Sequence, residues 1–218
     1  MMELIGIFGG TFNPIHNGHL ALAQSVLETL QCTQIRFVPA ALPPHKTAPA
    51  VTAQHRAAMV KLAIQGHHQF VLDTCELDRQ GPSYTIETLH LLRQRFPHQS
   101  LCLLMGQDSY QKLPTWHRWT ALLDYAHLLV IHRAEAEKTL SLHAGHRGKL
   151  INIEDAPTAF STQAHGLISY LTQTPPAISS TGLRASLAQH ALNTITDMPA
   201  AVLQYIQQHH LYQHPARE

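Results

Sequence analysis

The sequence predicts an α/β protein built on a doubly wound parallel sheet of Rossmann-like type, with helices on both faces and a small helical portion at the C-terminus. Three observations carry this. Short apolar runs rich in β-branched and aromatic residues recur along the chain, as strands buried on both faces of a parallel sheet do. Segments with helical spacing of apolar residues separate them, and a strand, a helix and a second strand within about the first 35 residues form a βαβ unit. The first strand also runs straight into a glycine turn that opens a helix, the usual place for a ligand in such sheets.

In order, Leu4-Ile5-Gly6-Ile7-Phe8 is the first strand, and the helix after the glycine turn spans Gly18 to Leu30. Ile35 to Val38 is the second strand. Pro39 to Val51, with Pro43-Pro44-His45-Lys46, is too rich in proline for a helix or a central strand and is read as a loop. Gln54 to Gln65 is helical, with Ala58, Met59, Leu62 and Ala63 as its apolar positions. Phe70 to Leu72 is the third strand, and Gln80-Gly81-Pro82 a turn. Ser83 is expected to cap a helix running through Leu89, Leu92 and Phe96. Ser100 to Met105 and His127 to His132 are further strands. Residues 136–164 give a poor signal, with one short strand candidate at Leu150 to Ile153. Leu167 to Leu171 is the last strand, a helix starts near Ser180 and runs through Leu187 and Ala191, and Met198 to Tyr212 closes the chain as an amphipathic helix with Pro199 in its first turn.

The 218 residues fit one domain, with residues 1–175 as the α/β core and 176–218 as the C-terminal helices. A formal net charge of +1 calls for no nucleic acid and no acidic membrane surface. No apolar run reaches the roughly 18 residues of a membrane span and no charged leader precedes one, so a cytoplasmic protein is expected. Cys32, Cys75 and Cys102 form no Cys-x-x-Cys pair and are expected as reduced, mostly buried thiols. The 18 histidines are scattered, and the pairs His67-His68 and His209-His210 are expected on the surface. Nothing in the sequence sets an oligomeric state.

The chemistry concentrates at Gly9-Gly10-Thr11-Phe12-Asn13-Pro14-Ile15-His16-Asn17-Gly18-His19. A helix start presents unpaired N–H groups and the positive end of its dipole, and adjacent glycines let phosphates approach the backbone. The Gly-x-Gly-x-x-Gly and P-loop spacings are absent, which excludes the commonest redox-dinucleotide and NTPase fingerprints. His16 and His19, three apart, can share a face pointing at the turn. Two imidazoles beside a phosphate site suggest phosphoryl or nucleotidyl transfer. The alternatives are two ordinary histidines at a helix start and a partial zinc site, but for zinc no third ligand lies nearby and a catalytic zinc takes three.

Farther along, Lys46 leaves the second strand's carboxyl end on a proline-stiffened loop, within reach of a phosphate. Gly106 and Asp108 follow the fourth strand, where a carboxylate can accept ribose hydroxyl protons or cap the next helix. Ser179, Ser180 and Thr181 offer caps and phosphate donors, and Arg184 one turn on can fork two phosphate oxygens.

The eleven-residue glycine segment resembles the first signature of the His-x-Gly-His nucleotidyltransferases, more narrowly of bacterial nicotinate-nucleotide adenylyltransferases. Pro43-Pro44-His45-Lys46, Ser83-Tyr84-Thr85, Gly106-Gln107-Asp108, Trp116 and Ile178-Ser179-Ser180-Thr181-Gly182-Leu183-Arg184 are similar to the family's later landmarks, in the same order. The resemblance implies adenylyl transfer from ATP to nicotinate mononucleotide, giving deamido-NAD and pyrophosphate. It implies His16, His19, Lys46 and Arg184 as catalytic, and Gly9, Gly10, Thr11, Phe12, Gly18, Gly106, Asp108, Ser179, Ser180 and Thr181 at ATP. Tyr84, Thr85, Trp116 and His117 fall to the pyridine substrate, with Trp119 left to packing. Mg2+ is expected on the ATP phosphates, with no protein-held metal and no tightly bound organic cofactor.

Two departures are visible. Asn13 stands where many relatives have aspartate, and Arg133-Ala134-Glu135 replaces Arg-Pro-Gly. The rival readings are a sister transferase using nicotinamide mononucleotide or phosphopantetheine, a cytidylyltransferase, a non-catalytic nucleotide binder, and a histidine-rich metal binder.

Overall fold

The computed structural model describes residues 1–42, 51–133, 143, 145, 148–173, 178–189 and 195–213. Among these residues seven strands form one sheet: β1 (Leu4–Gly10), β2 (Gln34–Pro39), β3 (Phe70–Leu72), β4 (Ser100–Gly106), β5 (His127–Arg133), β6 (Lys149–Leu150) and β7 (Leu167–Gln173). Their order is β3-β2-β1-β4-β5-β7-β6, and every neighbouring pair is parallel. The chain winds outward from β1 to β3, then returns to place β4 on β1's other side. That reversal leaves a crevice at the carboxyl ends of β1 and β4, where Gly10 and Gly106 stand.

Seven α-helices accompany the sheet among the described residues: α1 (Asn17–Leu30), α2 (Ala53–Ala63), α3 (Thr85–Arg95), α4 (Gln107–Gln111), α5 (Ala156–Thr162), α6 (Ser180–Ala188) and α7 (Ala200–Gln208). Alternation along β1 divides the core. Leu4 and Phe8 face one layer, with Val26 and Leu30 of α1, Met59 of α2, Phe160 of α5, Leu187 of α6 and Ile206 of α7. Ile5 and Ile7 face the other, with Ile86, Leu89 and Leu92 of α3 and Tyr110 of α4. Helices therefore cover both faces, as the sequence predicts.

Several expectations need correction. Ser83 is not the cap of α3: that position is Tyr84, and its side chain makes no cap bond, while the Ser83 hydroxyl accepts from the Ala41 and Leu42 N–H groups. The strand candidate at 150–153 shrinks to β6, an exposed edge pair of residues. Residues 156–162 form α5, which the sequence hides because seven residues with only Ala156 and Phe160 buried give no long period. The closing helix stops at Gln208, since His210 and Tyr212 adopt positive φ, and Pro199 is the residue before its first turn. Lys46, the rest of the 43–50 loop, Ala134, Glu135 and Ala191 lie outside the described residues.

Buried polar groups are largely paired. Asp73 accepts from Arg36 Nε at 2.9 Å and Arg95 Nη1 at 3.1 Å, tying the ends of β2 and α3 together. Burial alone would raise the Asp73 pKa, but bonds from Arg36 and the Cys75 N–H outweigh it and hold the carboxyl below its usual range. His127 lies flat on Phe160, ring centroids 4.2 Å apart, and bridges the Leu167 N–H to the Gln163 carbonyl. Cys32, Cys75 and Cys102 are buried and free, and burial pushes the first two thiols up to about 12. The histidine pairs at 67–68 and 209–210 are exposed.

Candidate active site

β1 delivers its two terminal glycines to the crevice. A Cβ on Gly10 would come within 2.9 Å of the Phe12 ring, so only glycine lets Phe12 fold back against the strand end. Phe12 itself has φ 46° and is buried against Phe8 and Phe37. The turn then passes Asn13-Pro14, a cis peptide, and reaches His16, the N-cap of α1.

His16 and His19 lie with ring centroids 3.7 Å apart and planes 34° apart, on one side of the helix start. The His16 backbone N–H donates to His19 Nδ1 at 3.2 Å. A neutral ring that accepts at Nδ1 carries its proton on Nε2, so His19 presents an Nε2–H donor. Gly18 between them leaves the His16 ring its room, because a Cβ there would stand 3.0 Å from His16 Nδ1. Burial lowers the His16 pKa to about 4, with Asp197 opposing, and burial together with His16 lowers that of His19 to about 3. Both rings are neutral at physiological pH.

The second signature meets the first in space. The Ser180 hydroxyl donates to the Pro14 carbonyl at 3.0 Å, and Arg184 Nη1 donates to the Asn13 carbonyl at 2.9 Å. The Asn17 N–H and side-chain amide donate to the Asp197 and Thr196 carbonyls, which ties α1 to the approach of α7. Ser179 caps α6 by accepting the Gly182 N–H at 3.0 Å, and Thr181 Oγ1 accepts from Arg184 Nη2 at 3.2 Å. Of these hydroxyls, Ser180 has its proton committed to Pro14, while Ser179 and Thr181 keep theirs to donate. Of the five guanidinium N–H donors, these bonds use one on each terminal nitrogen. Asn13 does more than shape the turn: its Oδ1 accepts the Tyr212 hydroxyl at 2.7 Å.

A cleft of about 540 Å³ opens over β1 and β4. Gly9, Gly10, Thr11, Gly106 and Asp108 line one part, and Tyr84, Thr85, Trp116 and His117 another. Asp108 lies in the first turn of α4, exposed, with Gly106 as the N-cap. Tyr84 and His117 lean together with centroids 4.5 Å apart. Trp116 is half-buried against the α3-side core and lines the cleft, whereas Trp119 packs on that core without lining it. Phe12, His16, Gly18, His19, Ser179, Ser180, Thr181 and Arg184 do not line this cleft; the geometry groups them instead around the turn that bounds it.

Sequence reasoning missed Lys112 and Glu76, which also line the cleft, as does Thr88 in the stretch that resembles the family's landmark at Ser83-Tyr84-Thr85. The Thr88 hydroxyl donates to Glu76 Oε1 at 2.6 Å. Lys112 is the one Lys or Arg among the described lining residues. It also missed Arg56, a buried arginine on the apolar stripe that continues through Met59, Val60 and Ala63. A charge placed on a helix's buried face was the signal.

A family model described as cytidylyltransferase-like matches residues 7–186. A probable nicotinate-nucleotide adenylyltransferase of Pseudomonas putida is 42% identical over 217 residues, covering 97% of this chain and 91% of that protein. One from Aeromonas salmonicida is 44% identical over 214 residues, with 96% and 97% covered. The chain belongs to the nicotinate-nucleotide adenylyltransferase family. It is a nucleotidyltransferase, and its sheet has a counterpart in a solved structure. The nicotinic acid mononucleotide adenylyltransferase of Plasmodium falciparum complexed with NaAD superposes with a TM-score of 0.71 at 16% identity, over 99% of this chain and 100% of that one. That likeness is one of fold. Among the described residues no group of three or more His, Cys, Asp or Glu could hold a metal ion, and no helix is long and apolar enough to cross a membrane.

Proposed function

We propose that this enzyme transfers the adenylyl group of Mg-ATP to nicotinate mononucleotide, releasing pyrophosphate and forming deamido-NAD, the acid form of the dinucleotide, in NAD biosynthesis. The observation that carries the reading is the docking of the α6 amino end on the Asn13-Pro14 turn, through Ser180 and Arg184. Two helix starts, two imidazoles and a guanidinium then gather beside one turn at the rim of a cleft that has an aromatic wall. The relatives named above support the acid mononucleotide as acceptor.

The acceptor's 5′-phosphate has a second pKa near about 6 and is largely a dianion at neutral pH, so no general base is required. Its oxygen attacks the α-phosphorus of ATP, the bond to the bridging oxygen of pyrophosphate breaks, and the electron pair leaves with pyrophosphate. Repulsion between the anions and charge on the departing group oppose the step, so the protein's work is positioning and neutralisation. His19 Nε2–H and the His16 ring donate to the α-phosphate. Arg184 and Lys46 neutralise the phosphates and pyrophosphate, with the N–H groups at the start of α1 and α6 and the Ser179 to Thr181 turn. Gly9, Gly10, Thr11, Phe12 and Gly18 shape the approach of ATP, and Gly106 and Asp108 take its ribose.

Trp116 stacks on the pyridine ring, and Thr85, with Tyr84 and His117 beside it, holds the carboxylate. Mg2+ arrives on ATP. Residues 1–218 act as one domain, since α6 and α7 share a core with β1 and α1. The cytoplasm, where ATP is abundant, is the proposed location.

One assay tests the reading. The protein is incubated with ATP, Mg2+ and either nicotinate or nicotinamide mononucleotide, and pyrophosphate and dinucleotide are quantified. The acid should react at least about tenfold faster in kcat/KM, a difference of about 1.4 kcal/mol. Preference for the amide, or no turnover with either, overturns it.

A further inference from the structure

Arg56 and Ser83 stand outside every role assigned so far. Arg56 is 1% exposed, yet no carboxylate lies within ion-pair distance of it among the described residues. Its three nitrogens are spent on backbone carbonyls from three segments: Nη1 to Thr11 at 2.7 Å, Nη2 to Ala41 at 3.3 Å and Nε to Val51 at 3.4 Å. Thr11 belongs to the phosphate turn, Ala41 to the loop after β2, and Val51 to the approach of α2. Burial lowers the guanidinium's pKa, with Tyr212 and Glu76 opposing that loss electrostatically.

Ser83 continues the connection. Its Oγ accepts the Ala41 N–H at 2.9 Å and the Leu42 N–H at 3.1 Å, and its own N–H donates to the Leu42 carbonyl at 3.0 Å. Ser83 and the next residues, Tyr84 and Thr85, line the cleft, as does Thr11. An unbroken path of hydrogen bonds thus runs from Thr11 through Arg56, Ala41 and Ser83 to the start of α3.

Stability alone gives little reason for such an arginine, because a buried charge without an ion partner costs desolvation that a well-packed apolar side chain would not. A guanidinium does supply a planar, rigid fork able to hold carbonyls from several segments at once. We propose that Arg56 and Ser83 form a strut that fixes the phosphate turn relative to the start of α3, and so fixes ATP relative to the acceptor mononucleotide. Both are positioning residues. The inference rests on the functional reading above, in which those two places hold the two substrates. In-line attack needs the reacting atoms about 3 to 3.5 Å apart, and a misplacement of about 1 Å costs on the order of 10² in rate. Loosening the strut therefore lowers kcat while each substrate still binds its own end.

The test compares wild type, Arg56→Lys, Ser83→Ala and the double variant, each checked for fold by circular dichroism and thermal unfolding. Lysine keeps the charge but cannot reach three carbonyls. Each single variant should lose about 10- to 100-fold in kcat, with both KM values and both binary dissociation constants within about threefold of wild type. The double variant should fall no lower than the worse single, because both changes cut the same path. A folded variant with wild-type kcat, a loss confined to KM, or losses that multiply overturns the strut. A merely structural role lowers the melting temperature and leaves kcat alone. Should Arg56→Lys fail to fold, Ser83→Ala decides by the same criteria. Wild-type turnover is measured first: its absence overturns the functional reading and the strut with it, whereas wild-type turnover with unaffected variants overturns the strut only.

Discussion

His19 can donate a hydrogen bond from Nε2 because its other nitrogen is held by the His16 backbone N–H. Replacing it by alanine removes a donor aimed at the place where charge develops, so His19→Ala should lower kcat by about 10² to 10³ in the coupled pyrophosphate assay. The same burial that makes these rings neutral makes them poor buffers. With pKa values lowered to about 4 and about 3, the His16 and His19 ring signals in proton NMR should stay flat from pH 8 down to about 5. A midpoint near 6.5 in either active-site ring would show that it works as a cation. Trp116→Ala should raise KM for nicotinate mononucleotide about tenfold and that for ATP much less, since a lost aromatic contact of about 1 to 1.5 kcal/mol is felt at one substrate only.

At the scale of elements, α6 presents Ser179 to Arg184 to the turn because its other side is anchored. Leu183 and Leu187 are buried in the core shared with α1 and α7. Leu187→Ala should therefore cost about 2 to 5 kcal/mol in urea unfolding, as leucine truncations in packed cores do. A cost below about 1 kcal/mol would mean that α6 is held by its polar contacts instead. The strut through Arg56 works at this scale too, since it joins the β1 turn, the β2 loop and the start of α3.

For the molecule as a whole, acid stability follows from groups whose pKa differs between folded and unfolded chains. His16 and His127 are held at about 4 and His19 at about 3, against about 6.5 when unfolded. Below pH 6.5 the unfolded chain binds protons that the folded one refuses, so stability falls as pH falls, by up to about 1.4 kcal/mol per pH unit for each ring. Asp73, held low, has the same sign in a lower window: its contribution is present above its unfolded value of 3.8 and is lost as pH drops through its folded value. Urea midpoints should thus decline from pH 7 to pH 4 and fall again below. A midpoint constant over that range would contradict the buried neutral histidines.

Much of this was legible beforehand, because strands buried on both faces write themselves as apolar runs and a glycine turn between strand and helix writes itself as a motif. Leu4 to Phe8, Ser100 to Met105 and the start of α1 follow from local pattern alone. Segments whose conformation is decided by distant partners were not legible. Ser83 looks like a helix cap by its neighbours and is instead an acceptor for a loop some forty residues earlier. The spacing of Arg56 to Met59, Val60 and Ala63 puts it on a buried face of α2, but which three carbonyls hold it cannot be read from that spacing. The closing helix ends early at positive-φ turns, and Tyr212 reaches back to Asn13. By itself the sequence determined the sheet, the two signatures and the kind of chemistry they carry, since backbone pattern and residue type are local properties. Only the tertiary structure decided that the signatures meet, which nitrogen of His19 bears its proton, and what holds the two sides of the cleft apart. Those depend on hydrogen bonds between residues far apart in the chain, which no local pattern encodes.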